Sequence, residues 1–169
     1  MTLDQDRENF NRWYKEPIET LLTKDHHTGF AVLMIALPML ERYLRGKTGI
    51  GEDPKLCVHF YDEMLAHFPS LKSRTNARRF WAIYRNGLLH QATLKAIDQG
   101  TIAGVHNQAS LIECDADGRS FRVSPERFAR AVIEIIENDF PTFQGAGSPR
   151  HQMATVISGV SGFSGVRNK

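Results

Sequence analysis

Cysteine is scarce in this chain of 169 residues: Cys57 and Cys114 are the only two, far apart. Neither has a second Cys or His at zinc-finger spacing, which argues against a disulfide framework or a zinc module. The pair reads as free thiols of a reducing cytoplasm. Long apolar runs are also missing. The stretch Phe30 to Leu40 covers eleven residues and carries Pro38, well short of the roughly twenty that span a bilayer. No signal-peptide pattern opens the chain, so a membrane is not an expected partner. Net charge is only +2, too small to argue for nucleic acid unless the charges are segregated. They are. No Asp or Glu occurs from Met64 to Ile97, a stretch that holds Lys72, Arg74, Arg78, Arg79, Arg85 and Lys95. Acids gather between Glu52 and Glu63 and again around Glu134 and Glu137, and none follows Asp139. A phosphate-rich ligand suits the acid-free stretch.

The length is one domain's worth. Phe10, Trp13, Tyr14, Ile18, Leu21 and Leu22 recur at helical spacing, and Pro17 must kink or split that helix. From His27 to Arg45 the chain is apolar nearly all round, as at the centre of a bundle, and Gly46 is expected to end the helix. Gly46-Lys47-Thr48 matches the end of a phosphate-binding loop, but that pattern needs a glycine where Glu41 stands and a strand before it. It is therefore rejected. Asp53-Pro54 is a helix start, followed by Leu56, Cys57, Phe60, Tyr61, Met64, Leu65 and Phe68 at the 3.6-residue period. The next helix is predicted from Ser73, with Ala77, Phe80, Trp81, Tyr84 and Leu88 as its core stripe. Arg74, Arg78, Arg79, Arg85, Asn86 and His90 fall on the side away from it. Ser110 to Val123 reads as a hairpin around Asp115-Ala116-Asp117-Gly118. Ser124-Pro125-Glu126 opens a last helix carrying Phe128, Ala131, Val132, Ile135 and Ile136 inward, closed by Pro141. The expected architecture is an all-α, up-and-down bundle of four to five helices over 1–141, with a small β-hairpin at about 110–123 before the last helix. A Gly/Ser-rich basic tail is expected over 142–169, with Met153 to Ile157 its one apolar patch.

The stretch Phe80-Trp81-Ala82-Ile83-Tyr84-Arg85-Asn86-Gly87-Leu88-Leu89-His90-Gln91 resembles the signature of the HEPN superfamily: Arg, a polar residue that is often Asn, then three to five more positions and His, on an all-helical bundle. The likeness runs from about Phe30 to His90 and, more loosely, over the final helix. It implies metal-independent cleavage of RNA, with no cofactor, in which His90 is general acid/base, Arg85 stabilises the crowded phosphate and Asn86 orients. The residue types suit that chemistry. Imidazole titrates near neutrality, and a guanidinium can stabilise charge building on phosphorus. Arg74, Arg78 and Arg79 are the candidate RNA contacts, and Glu41 could bond Arg85 and hold its fork in place.

On a straight helix Arg85 and His90 point about 140° apart. Either Gly87 breaks the helix, or two chains pool their motifs across a two-fold axis with Leu89 in the seam. The homodimer of the superfamily matches the second option. A protein inhibitor is a further partner the resemblance allows, in a role in defence or stress. Toxins of the superfamily that are silenced by a nucleotidyltransferase carry Tyr two residues after the His, where this chain has Ala92. The alternative from another class is a non-catalytic module that binds RNA or a partner protein through the same face. His59, Glu63 and His67 lie in one helical stripe, but a further metal ligand cannot be assigned, with His26-His27 a candidate by composition alone. No metal is expected.

Overall fold

The computed structural model describes residues 3–24, 28–50, 56–95, 100–107 and 109–145. Helix α3 (Gly29–Thr48) is the central element. Its inner face buries Val32, Leu33, Ala36, Leu37, Leu40, Tyr43 and Leu44. Helices α2 (Glu16–Leu22), α4 (Val58–His67), α7 (Pro125–Asn138) and α8 (Phe140–Gly145) pack on it, α7 most extensively. The outer face is not covered: Phe30 and Met34 are 40% and 39% exposed, so the expected all-round burial does not hold. The helix also passes Gly46 and ends at Gly49, whose left-handed φ of 68° gives the C-cap. Gly46 is followed by no such turn, and a glycine alone does not stop a helix whose other face is packed. None of the described helices is long and apolar enough to cross a membrane.

The opening segment is one winding path. α1 (Leu3–Phe10) runs into a π-turn (Asn11–Lys15) and on into α2, with helical dihedrals at both joins. The π-turn lies just before Pro17, which lacks an N–H and crowds the carbonyl four residues back. The wider turn absorbs that conflict, so the helix is neither split nor ended. It also throws Trp13 outward, 50% exposed, although its spacing matches the inner stripe. Asp53-Pro54 lies outside the described residues, and α4 starts at Val58 with Cys57 as its N-cap. Cys57 is exposed and Cys114 half-buried, both free.

α5 (Arg74–Trp81) starts where expected, the Ser73 hydroxyl accepting from Asn76 N–H at 3.2 Å. Its stripe of Ala77, Phe80, Trp81, Tyr84 and Leu88 is buried. A second π-turn (Ala82–Asn86) and the short helix α6 (Gly87–Gln91) follow. Beyond them stand three strands rather than two. β2 (Ile112–Cys114) and β3 (Ser120–Val123) form the expected hairpin, and β1 (Ile102–Val105) lies parallel to β3 on its other edge, pairing Ile102 with Ser120 and Val105 with Val123. β1 has only four residues, one of them Gly104 and one the exposed Ile102, too short to show an alternating pattern. The buried Tyr84 hydroxyl lies 2.8 Å from the Gly104 carbonyl and 3.0 Å from that of Phe121, tying two strands to the motif helix.

Ser124 caps α7, its hydroxyl accepting from Arg127 N–H. α7 ends at Asp139, before Pro141, and the chain turns into α8. Phe143 is fully buried there against Phe10 and Phe140. Arg42 donates from Nε to the Phe143 carbonyl at 2.9 Å and from Nη2 to that of Gln144 at 3.2 Å. The packed region therefore reaches Gly145 rather than stopping at 141, because a buried phenylalanine and a capped helix end outweigh the local composition. The rest of the expected tail, Met153 to Ile157 included, lies outside the described residues.

Candidate functional site

Glu41, near the C-terminal end of α3, is the pivot of the site. Its side chain is 12% exposed and both its oxygens are engaged. Oε1 accepts from Arg45 Nε at 2.9 Å and Oε2 from Arg85 Nε at 2.7 Å. Arg85 Nη1 in turn lies 3.2 Å from Asn86 Oδ1 and 3.1 Å from His90 Nε2. A guanidinium only donates, so the last contact is a hydrogen bond when Nε2 carries no proton. Among the described residues Arg85 Nη2 makes no hydrogen bond. That edge of the fork is left for a ligand oxygen.

The pair Arg85 and His90 is thus brought together within one chain, by neither of the routes the straight-helix geometry allowed. Arg85 lies within the π-turn that ends at Asn86 and His90 on α6 beyond it, so the constant 100° per residue of a straight helix does not hold between them. Gly87 does not break the helix; it continues with helical dihedrals. Its role is space. The segment Thr93 to Lys95 folds back over α6 so closely that a Cβ on Gly87 would lie 2.5 Å from the Thr93 carbonyl oxygen and 2.6 Å from the Lys95 nitrogen. From there Lys95 N–H donates to the Ile83 carbonyl, inside the π-turn, at 3.2 Å. Ala92 makes the reversal as the left-handed C-cap of α6, φ 54°, a conformation costly for any residue with a Cβ.

Beside the motif is an open cleft of about 650 Å³, whose lining includes Glu41, Arg45, Tyr61, Arg78, Trp81, Arg85 and Asn86. Three guanidinium groups face one carboxylate there, an electropositive balance that favours an anionic ligand. His90 is exposed next to this cleft, linked to it through Arg85. Of the other expected contacts, only Arg78 lines it. Arg74 is ion-paired with Asp62, its Nη2 3.0 Å from Oδ2, and Arg79 donates to the Gly118 carbonyl at 3.0 Å, clamping the hairpin turn onto α5. Arg45 and Tyr61 were not foreseen as part of the site. Arg45 had a signal, its place four residues after Glu41 on the same helical face. Tyr61 had none, since it sits within an apolar stripe.

No group of three His, Cys, Asp or Glu that could hold an ion is found among the described residues. His67 packs edge-on to the Tyr43 ring at 5.5 Å, with Nε2 3.5 Å from Glu63 Oε1. Burial pushes its pKa below the ordinary 6.5, Lys47 adds to that, and Glu63 and Asp139 oppose it. Folding therefore keeps His67 neutral where the unfolded chain would take a proton. The stability this contributes is present above about pH 6.5 and lost as pH falls below it toward the folded pKa. Urea unfolding at about pH 7.5 and 5.5 should show a smaller acid loss for His67→Gln than for wild type. Equal losses would assign the acid sensitivity elsewhere.

No protein-family model matches this chain, and no curated protein or solved structure matches it either. The site has to be read from its own geometry.

Proposed function

We propose that this chain is a metal-independent endoribonuclease of HEPN type, acting in the cytoplasm on single-stranded RNA as a homodimer. The observation that carries the proposal is the 3.1 Å approach of Arg85 Nη1 to His90 Nε2, with Arg85 held from behind by Glu41. His90 Nε2, its lone pair turned from Arg85 Nη1 to the substrate, would take the proton of a ribose 2′-hydroxyl. The oxygen then bonds to the adjacent phosphorus, and charge building on the phosphoryl oxygens meets Arg85 Nη2. The bond from phosphorus to the 5′-oxygen breaks, and that oxygen leaves with a proton. The products are a 2′,3′-cyclic phosphate and a 5′-hydroxyl end.

In-line displacement puts the attacking and leaving oxygens on opposite sides of phosphorus. One imidazole cannot serve both at once, and the second proton carrier would be the partner's His90. Surface on α3 supports a seam beside the motif. Phe30 and Met34 are exposed and lie at i,i+4 spacing on the stripe that continues to Glu41 and Arg45. Half-buried Leu89 would join them.

The test is incubation of the purified chain with single-stranded RNA in EDTA, with identification of the product ends. Cyclic phosphate ends without a divalent ion are expected. A requirement for a divalent ion, or 3′-hydroxyl ends, would reject the mechanism.

A further inference from the structure

We infer that Arg78 and Tyr61 form a second phosphate-binding subsite in this cleft, holding the phosphate next to the scissile one in a single strand of RNA; this rests on the nuclease reading above.

Arg78 differs from the arginines on either side of it. Arg74 is paired with Asp62 and Arg79 is committed to the Gly118 carbonyl. Arg78 is exposed, lines the cleft, and has no hydrogen bond or ion pair among the described residues. Glu41 makes no ion pair with it; that carboxylate's oxygens bond Arg45 and Arg85.

Tyr61, on α4, faces the same space. It is half-buried, and its hydroxyl has no partner among the described residues. Burial raises its pKa and the nearby Arg78 charge pulls it back down, which places the two groups within electrostatic reach of each other. The hydroxyl lies open to the cleft, and a phosphate oxygen would accept its proton while pairing with the guanidinium. The spacing fits a strand. Arg78 precedes Arg85 by seven positions, about 10 Å along the helix axis, a gap two long side chains can narrow to neighbouring phosphates. Trp81 lines the cleft but is only 2% exposed, so it offers no stacking face. The grip is on the backbone, and sequence is not read here.

The test uses a fluorescein-labelled 2′-O-methyl hexaribonucleotide, which cannot undergo 2′-hydroxyl attack, in fluorescence anisotropy over a salt series. Arg78→Ala should bind about tenfold more weakly and lose about 0.7 from the slope of log K against log salt. Tyr61→Phe should bind about threefold more weakly. Arg130→Ala, on α7 and paired with Glu126, removes one positive charge as a control. Arg78→Ala binding no worse than Arg130→Ala overturns the subsite, as does failure of the wild-type chain to bind. Arg78-dependent binding by a chain that never cleaves unmodified RNA supports the subsite and rejects the nuclease.

Discussion

Gly87→Ala is expected to destabilise the chain by about 3 kcal/mol, lowering the urea midpoint by about 1.5 M. The new methyl would meet backbone on two sides, the Thr93 carbonyl oxygen at 2.5 Å and the Lys95 nitrogen at 2.6 Å. Neither can swing aside as a side-chain tip would. Relief requires lifting the Thr93 to Lys95 strap, which breaks the Lys95 donation to Ile83 and withdraws Leu94 from its packing on the core. Gly104→Ala is the control. No described residue lies within 4 Å of a Cβ there, so stability should move by no more than about 0.5 kcal/mol. If the two variants unfold alike, the strap does not constrain Gly87 as described.

The second large effect is on chemistry with the fold left intact. His90→Ala and Arg85→Ala are each expected to slow RNA cleavage in EDTA at least about a thousandfold, measured as single-turnover rates. The double variant should be hardly worse than either, because the two groups act as a unit. His90 is exposed and among the described residues bonds only Arg85, so its removal should leave the urea midpoint nearly unchanged. Glu41→Gln keeps the shape and removes the charge that fixes the Arg85 fork. A loss of about tenfold is expected, since the guanidinium remains but is less firmly aimed. Cleavage by both alanine variants at the wild-type rate would place the activity at another site.

Much of this was legible in the sequence, for physical reasons that vary with the element. Ser73 and Ser124 announced their helices because a cap is a local hydrogen bond between near neighbours. The stripe from Ala77 to Leu88 was legible because burial imposes a period. The outward throw of Trp13 and the meeting of Arg85 with His90 were not, since both depend on π-turns, and a helical wheel assumes constant winding. β1 escaped because a four-residue strand gets its partner from β3, some eighteen positions later. α8 was hidden by a composition that says nothing of Phe143 packing on Phe10 or of Arg42 reaching across to cap it. Within the site, Arg74, Arg78 and Arg79 look equivalent on a wheel. Only the positions of Asp62 and the hairpin turn separate the committed pair from the one that faces the cleft.

The π-turn at Ala82 to Asn86 also bears on how far apart such a pair must stand in a sequence. A turn that closes one residue late has the same effect on later side chains as inserting a single position into uniform α-helix. On ordinary α winding, guanidinium and imidazole meet from i and i+4. The interval between Arg and His would then be set by the local pitch of the backbone, and a count of intervening letters would be a poor guide to whether the two can meet.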